Sequence, residues 1–185
     1  MNTIITSKEA ILEMSREIVI NDGVVSLSIR KVASKCNVSV GSIYNYFESK
    51  AELLGATIES IWSEIFHQGK NPDVFCNISE CITWLYDCLK YGNEKYPEFF
   101  TVHSIGFAND EKAGGKQKMY NAWEHILKNL RDVLSHDPNI REDAFNSRFT
   151  PEKYANMIFS LILSDMMKKE YDPEFVLEIV KRTLY

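Results

Sequence analysis

Residues 27–50 read LSIRKVASKCNVSVGSIYNYFESK, and the structure of the N-terminal part of the chain can be predicted from them. Apolar residues recur in each half at the spacing of one helix face, which predicts two short helices. Asn37 lies between them, and asparagine tolerates the positive φ that a tight turn requires. Two short helices joined by a turn of three or four residues form a helix-turn-helix. The inward residues would be Ile29, Val32 and Ala33 in the first helix and Ile43 and Phe47 in the second.

The outward face of the second predicted helix suits contact with a nucleic acid, because its side chains are small, polar or aromatic and none is acidic. Gly41 lets another surface approach the backbone closely, and the Tyr44 hydroxyl can donate to a phosphate oxygen. Asn45 can hydrogen-bond a base edge, and Val40 can contact a thymine methyl group. Lys50 stands at the predicted N-terminus of the next helix, where an anion is favoured. The outward face consists of Val40, Gly41, Ser42, Tyr44, Asn45 and Tyr46.

Charge is distributed unevenly along the chain. The formal net charge of −5 argues against a uniformly basic nucleic-acid binder. Residues 26–50 nevertheless carry four basic residues against Glu48 alone, so a locally basic segment stands on an acidic body. The four basic residues are Arg30, Lys31, Lys35 and Lys50.

The overall composition is that of a soluble globular protein, with 45% apolar and 25% charged residues. No apolar run approaches the roughly 20 residues that a membrane span needs. Residues 1–7 lack the basic and then apolar pattern of a secretory signal. Four cysteines at irregular spacing are too few for a disulfide scaffold in a chain of this length. We therefore expect a cytoplasmic protein with reduced thiols and no membrane partner.

Residues 32–54, VASKCNVSVGSIYNYFESKAELL, resemble the signature of TetR-family transcription regulators. The resemblance extends over about residues 8–54. Asn37 departs from the pattern, because the family often has glycine there, but asparagine can adopt the same left-handed conformation. The positions that agree in order and spacing are Ala33, Val38-Ser39, Gly41, Tyr44, Tyr46-Phe47, Lys50 and Leu53.

This resemblance implies a homodimer that places the helix Val40–Tyr46 of each subunit in the major groove of duplex DNA, on a roughly palindromic operator. It also implies two kinds of contact. Ser28, Tyr44, Tyr46 and Lys50 match positions that usually touch the DNA backbone. Val40, Gly41, Ser42 and Asn45 match positions that usually face the bases.

Helical periodicity continues through the rest of the chain, which predicts an all-α protein of about nine helices. We expect a helix-turn-helix DNA-binding domain in residues 1–50 and a helical ligand-binding and dimerisation domain in residues 51–185. Thr6 with Glu9 and Ser49 with Glu52 have the spacing of capping boxes. Other predicted boundaries are starts at Asn77, Pro97, Lys116, Pro151 and Pro173 and ends at Gly23, Gly69, Gly92, Phe107, Leu134, Lys169 and Thr183.

The larger domain is rich in aromatic residues, which suit a pocket for an apolar or aromatic small molecule. Aromatics at helical spacing are also ordinary core residues, and His103 could be a core or surface histidine rather than a ligand contact. Cys81 and Cys88 lie seven apart without a Cys-x-x-Cys pair, so we expect no metal and no cofactor. The candidate pocket residues are Trp62, Phe66, Leu85, Phe100, His103, Phe107, Tyr120 and Trp123.

The last two predicted helices carry a wider apolar surface than one partner helix can cover. The family resemblance suggests a four-helix interface with the same two helices of a second subunit. The alternative is a helix buried on all sides within a monomer. The candidate interface residues are Tyr154, Ile158, Leu161, Ile162, Phe175, Val176 and Ile179.

Three functions agree with these patterns. The first is a ligand-responsive transcription regulator, for which we favour a repressor over an activator. The second is an enzyme, against which stands the absence of a Ser/His/Asp order, a phosphate-binding glycine loop and a paired metal motif. The third is a helical protein-binding module for which the basic segment has no role. We expect the regulator and not an enzyme.

Overall fold

The computed structural model describes residues 6–66, 75–97, 99–100 and 113–185, with the side chains of residues 113–122 excepted. These residues form helices and turns, and no strand occurs among them. The predicted all-α class is therefore confirmed, and the helices with described bounds are close in number to the nine expected. They are α1 (Lys8–Asp22), α2 (Ile29–Lys35), α3 (Val40–Tyr44), α4 (Lys50–Phe66), α5 (Ile78–Lys95), α6 (Ala113–His136), α7 (Pro151–Lys168) and α8 (Glu174–Leu184).

The N-terminus of α1 is capped by Ser7, whereas the sequence pattern suggested Thr6. The Ser7 hydroxyl accepts a hydrogen bond from the backbone N–H of Ala10 at 3.2 Å, and Ser7 has extended backbone angles. Hydrogen bonds from the Glu9 backbone and from Ser7 lower the pKa of the Glu9 carboxyl below its ordinary value. A carboxylate in the first turn is favoured by the free N–H groups there.

Glycine ends α1 but does not end α5. Gly23 follows α1 at a φ of 77°, a backbone conformation that glycine adopts without strain. The predicted end at Gly92 is wrong, because α5 continues through it to Lys95. Gly92 is buried in this helix, and its carbonyl accepts from the N–H of Tyr96 at 2.9 Å. A glycine inside a helix costs only about 1 kcal/mol, which burial of neighbouring side chains offsets.

One apolar core holds α1, α2, α3 and the first half of α4 together. The two predicted anchors of α3, Ile43 and Phe47, are both 0% exposed. Ser15 and Thr57 are buried as well, and their hydroxyls donate to carbonyls of their own helices at 2.7 Å. A buried hydroxyl with such a partner avoids the cost of an unpaired donor. The buried core residues are Ile11, Ile18, Leu27, Ile29, Val32, Ala33, Ile43, Phe47, Leu53 and Ala56.

The chain forms two compact units, one of residues 1–64 with 92–120 and the other of residues 65–91 with 121–185. The helix-turn-helix core belongs to the first unit. The boundary expected at residue 50 falls at the start of α4, inside this unit. The assignment of separate DNA-binding and ligand-binding domains therefore stays a prediction.

Glu64 near the end of α4 is the centre of a polar network in the first unit. Its carboxylate pairs with Arg16 of α1 at 3.1 Å and with Lys95 at the end of α5. It also accepts a hydrogen bond from the Tyr96 hydroxyl at 2.8 Å. The Glu64 side chain is only 21% exposed, so these contacts are screened less than those of an exposed pair.

Asp137 is the centre of a polar network in the second unit. Its carboxylate accepts from the backbone N–H of Ile78 at the start of α5 and from that of Asn139, both at 2.9 Å. The Tyr185 hydroxyl donates to the same carboxylate at 2.6 Å. Asp137 is 7% exposed, so each donor removes part of the cost of burying its charge. A side chain after α6 thus caps α5, which lies 59 residues earlier.

The last two helices are closely joined within the second unit. The predicted start of α7 at Pro151 is confirmed, with Thr150 as the N-cap, and the helix ends at Lys168. The Tyr154 hydroxyl of α7 is hydrogen-bonded to Thr183 Oγ1 of α8 at 2.9 Å. Arg141 donates through its backbone N–H to the carbonyl of Leu184, also at 2.9 Å. The bond from Arg141 satisfies a carbonyl that the end of α8 leaves free.

The two helices predicted between residues 97 and 134 have different outcomes in the structure. The long helix expected over 116–134 extends further at both ends and spans Ala113–His136. The helix expected between Pro97 and Phe107 lies mostly outside the described residues. Among the described helices, none combines the length and the hydropathy that crossing a bilayer requires.

The hydrogen bond between Tyr185 and Asp137 yields a stability prediction. Burial, and then the contact with Asp137, raise the pKa of the Tyr185 hydroxyl to about 12. A raised pKa means that folding favours the protonated phenol, so its stabilisation is complete below pH 10 and is lost between pH 10 and about 12. Tyr185→Phe should lower the free energy of unfolding at pH 7 by roughly 1 kcal/mol. It should also flatten the loss of stability across that alkaline range.

Urea unfolding at pH 7 and pH 11 measures both effects. Tyr44→Phe is the matched control, because its hydroxyl is on an exposed side chain and it should leave stability unchanged at both pH values. Equal stability of Tyr185→Phe and wild type at both pH values would contradict the assignment.

Candidate DNA-binding surface

The turn between α2 and α3 is a Schellman motif centred on Asn37. The N–H of Val38 donates to the carbonyl of Ala33 at 3.0 Å, and the N–H of Asn37 donates to that of Ser34 at 3.1 Å. Asn37 itself has a φ of 54°, which confirms the predicted left-handed residue. Val38 packs against the apolar core, as the residue after a left-handed cap commonly does. Asparagine therefore closes this turn in the place of glycine.

Ser39 begins α3. Its hydroxyl accepts from the N–H of Ser42 at 3.1 Å and lies 2.9 Å from the Ser42 hydroxyl. The helix ends at Tyr44, two residues earlier than the predicted Tyr46. The N–H groups of Tyr46 and Phe47 then both donate to the Ile43 carbonyl, which tightens the last turn.

The exposed side of this short helix carries most of the predicted DNA contacts. Val40 is 39% exposed, Tyr44 50% and Tyr46 37%, although all three are large and apolar or aromatic. Gly41 and Asn45 are exposed as well. Ser42 is half-buried because its hydroxyl is engaged with Ser39. The structure thus brings the predicted contact residues of α3 together on one surface.

Ser28 and Lys50 stand at the starts of the neighbouring helices. Ser28 is half-buried and caps α2, accepting from the N–H of Lys31 at 3.3 Å. Lys50 is exposed as the first residue of α4, next to the cap formed between Ser49 and Glu52 at 3.1 Å. The Glu52 carboxylate accepts from the N–H of Glu48 at 2.6 Å, one residue earlier than in a regular capping box.

Among the described residues, none requires a glycine at position 41. Of these residues, a methyl group added there would meet only Ser39 Oγ, at an ordinary contact distance of 3.6 Å. The φ of Gly41 is not positive, so no special backbone conformation needs it. The missing side chain therefore leaves space at the surface, where another molecule can approach the helix backbone.

Tyr46 is held differently from Tyr44. Its hydroxyl donates to the carbonyl of Thr6, in the segment that leads into α1. The single phenolic proton is therefore used within the chain. Tyr44 keeps its hydroxyl at the exposed end of α3 and can donate it to a phosphate oxygen.

The four basic residues of this segment fall into two groups, of which one forms ion pairs with α1. Lys31 pairs with Asp22 at 3.0 Å, and Lys35 pairs with Glu17 at 3.1 Å. Arg30 and Lys50 are exposed and form no ion pair with the part of the chain that is described. Arg30 was not among the predicted contacts. The sequence does not distinguish it from Lys31 and Lys35, and only the fold shows that carboxylates of α1 pair with these two lysines.

The candidate pocket residues divide between the two units. In the first unit, the rings of Trp62 and Phe100 lie 5.5 Å apart. In the second unit, Leu85 is buried, and the rings of Phe66 and Trp123 contact those of Trp84 and Phe159. His103, Phe107 and the side chain of Tyr120 lie outside the described residues.

The candidate interface residues have contrasting exposures. Phe175 is 71% exposed, and Leu161 and Ile179 are half-buried. The other four are at most 3% exposed, so they are buried within the chain itself. These four are Tyr154, Ile158, Ile162 and Val176.

Two cysteines of α5 are poor candidates for thiolate chemistry. Burial raises the pKa of Cys81 to about 12, and burial followed by the nearby charge of Asp87 raises that of Cys88 to about 12. Both are therefore neutral thiols at pH 7, whereas metal binding and disulfide exchange use the thiolate. Within the described residues, no cluster of three or more His, Cys, Asp or Glu side chains could hold a metal ion.

The chain combines all-α structure with a capped helix-turn-helix whose exposed α3 face carries no acidic side chain. Residues 7–57 match the sequence model described as bacterial regulatory proteins, tetR family. The helix-turn-helix part of the chain is therefore similar to that of TetR-family transcription regulators.

A curated relative gives a similarity of the same kind. The chain is 32% identical over 65 residues to the HTH-type transcriptional repressor KstR of Rhodococcus jostii (strain RHA1). That alignment covers 35% of this chain and 31% of KstR, so it spans about a third of the relative's length.

Two solved structures have the same fold over nearly the whole chain. FadR of Bacillus subtilis, in complex with stearoyl-CoA, is 13% identical with a TM-score of 0.64, covering 93% of this chain and 89% of FadR. BioQ, in complex with its natural double-stranded DNA operator, is 18% identical with a TM-score of 0.59, covering 96% of this chain and 97% of BioQ.

Gly41 allows a test that separates folding from DNA contact. Gly41→Ala adds a methyl group that the chain can accommodate, and alanine favours a helix by up to about 1 kcal/mol. The variant should be as stable as wild type or slightly more stable, while its affinity for duplex DNA falls at least ten-fold. Thermal unfolding and fluorescence anisotropy with labelled DNA measure the two effects. Unchanged DNA affinity would show that no partner approaches the backbone at this position.

Proposed function

We propose that this protein is a homodimeric transcription repressor that binds a palindromic DNA operator through α3 and is released by a small ligand. The observation that carries the proposal is the exposed face of α3, which rests on the buried Ile43 and Phe47. The role is one of binding and not of catalysis.

The shape and chemistry of α3 support insertion into the major groove, which is wide enough for an α-helix. Gly41 permits close approach, Asn45 can read a base edge, and Val40 can contact a thymine methyl group. Tyr44, Arg30 and Lys50 are exposed, and each can donate to a phosphate oxygen. BioQ, which has the same fold, is a precedent for operator binding.

A homodimer fits the apolar groups that α7 and α8 leave uncovered. Phe175 is 71% exposed, and Met157 is 39% exposed on α7. With the half-buried Leu161 and Ile179, they can pack against the same residues of a second subunit around a two-fold axis. The four buried candidates would then support the interface from within.

Control by a ligand requires two states of the dimer that differ in their affinity for the operator. A ligand shifts such an equilibrium only by its differential affinity for the two states. FadR of Bacillus subtilis, solved with stearoyl-CoA, is a precedent for a small molecule bound by this fold. We infer that an apolar or aromatic effector favours the state in which the two α3 helices no longer match the two half-sites.

Selection from a random duplex library by the full chain tests the proposal directly. We expect an enriched palindrome whose half-sites are centred roughly 10 base pairs or slightly more apart. Tyr44→Ala should weaken binding to the selected site at least ten-fold, while the dimer stays folded by sedimentation and circular dichroism. If no sequence is enriched, and if the affinity for duplex DNA does not change with salt, the result would instead favour a protein-binding module that does not act on DNA.

The two pairs of basic residues make a second prediction. If Lys50 contacts a phosphate, Lys50→Gln should reduce the slope of log affinity against log salt by about 0.9 per subunit, or about 1.8 per dimer. Lys35→Gln is the matched control, because Lys35 already pairs with Glu17 at 3.1 Å, and it should change the slope little. Equal changes for the two variants would mean that Lys50 acts only through the general charge of the domain.

A further inference from the structure

The Glu64 carboxylate joins three helices of the first unit. It pairs with Arg16 of α1 at 3.1 Å and with Lys95 of α5, and it accepts from the Tyr96 hydroxyl at 2.8 Å. The Arg16 guanidinium also donates to the hydroxyl of Ser60, one turn before Glu64 on α4. These five residues form what we call the Glu64 cluster. The Glu64 and Arg16 side chains are only 21% and 26% exposed, so the charge-assisted hydrogen bond between them holds the two helices in a defined geometry.

The ion pair bridges a groove between α1 and α4. The groove has a volume of about 560 Å³ and is lined by both helices, and Arg16 and Glu64 are the last described lining residue of each. The apolar core that α1 shares with α4 includes Leu53 and Ala56, which lie in the first half of α4. Beyond Ala56, the Glu64 cluster therefore supplies polar contacts that hold α1 to α4.

The cluster lies where the chain passes from one unit to the other. The first unit contains α4 up to Glu64 and α5 from Gly92, and the remaining residues of both helices belong to the second unit. The second unit also contains α7 and α8, which carry the apolar groups assigned to the proposed dimer. The cluster thus fixes α1 to the first-unit ends of two helices that continue into the unit with the proposed interface.

We propose that Glu64 is a positioning residue for operator binding, because the cluster restricts the separation of the two α3 helices in the dimer. α3 shares its core with α1, so a movement of α1 away from these ends of α4 and α5 would carry α3 with it. The apparent affinity for an operator is proportional to the fraction of dimers whose α3 helices match its two half-sites. A cluster that holds one arrangement keeps this fraction high for one spacing and low for others. The inference rests on the proposed function, since it concerns the spacing that the same dimer accepts.

Three labelled duplexes separate the effect of spacing from the contacts that each α3 makes. They are the selected palindrome, the same palindrome with one base pair inserted at its centre, and a duplex with a single half-site. The insertion moves one half-site by about 3.4 Å and rotates it by about 35°. Fluorescence anisotropy at one salt concentration should show that the full-length wild type loses at least thirty-fold in affinity on insertion.

Glu64→Gln keeps the shape of the side chain and removes the charge that holds Arg16 and Lys95. It should lower the affinity for the selected palindrome at least five-fold, because fewer dimers hold the matching arrangement, and it should reduce the loss on insertion at least five-fold. The affinity for the single half-site should stay unchanged, since α3 itself is unaltered. Glu13→Gln is the matched control, because it makes the same charge change at an exposed residue of α1, and it should behave as wild type on all three duplexes.

Arg16→Gln is a second variant that serves even if Glu64→Gln does not fold by circular dichroism. It removes the link to α1 and leaves Lys95 and Tyr96 on the Glu64 carboxylate. We expect it to reduce the loss on insertion at least two-fold. The double variant should change this loss by less than the two single variants together, because both break the same ion pair.

Four outcomes overturn the inference. A wild type that tolerates the insertion, or variants that keep the full loss on insertion, would show that the cluster does not restrict spacing. An equal loss of affinity of Glu64→Gln for the palindrome and for the half-site would show that the substitution alters each α3 surface instead. In these three cases the proposed function stands, because a palindrome is still bound. If the wild type selects no palindrome, the proposed function and this inference fail together.

Discussion

Burial of Ile43 and Phe47 is the constraint that orients the candidate DNA-binding surface, and every exposed residue of α3 depends on it. Both side chains are 0% exposed and belong to the core that α1, α2 and α4 share. Side chains three and four positions apart share a helix face, so fixing these two leaves the opposite face to solvent. Val40, Gly41 and Tyr44 are outward because Ile43 and Phe47 are inward.

The helix-turn-helix could be predicted from sequence because its determinants are local. The spacing of apolar residues, the cap at Ser39 and the left-handed Asn37 each concern residues within a few positions of one another. Errors arose where two local signals compete. Thr6 and Ser7 are both good N-caps, and only the fold selects Ser7. A glycine at position 92 is a valid stop signal, but tertiary burial carries α5 past it.

Polar contacts between residues far apart in the sequence could not be predicted from the sequence. Asp137 accepts from Ile78 and Tyr185, which are separated from it by 59 and 48 positions, and no periodicity points to these partners. The same limit applies at the candidate DNA surface. The sequence shows four basic residues there, but only the fold shows that α1 carboxylates neutralise Lys31 and Lys35 and leave Arg30 and Lys50 for a partner.

The brevity of α3 has a consequence for how recognition and folding are linked. Its five residues are far fewer than the roughly 12–15 that an isolated helix needs to be even marginally stable in water. A synthetic peptide of this segment would be a disordered chain, and the shape offered to DNA exists only while the surrounding domain is folded. DNA that binds only the folded state stabilises that state. The melting temperature of the domain should then rise with the logarithm of the DNA concentration, once that concentration exceeds the dissociation constant.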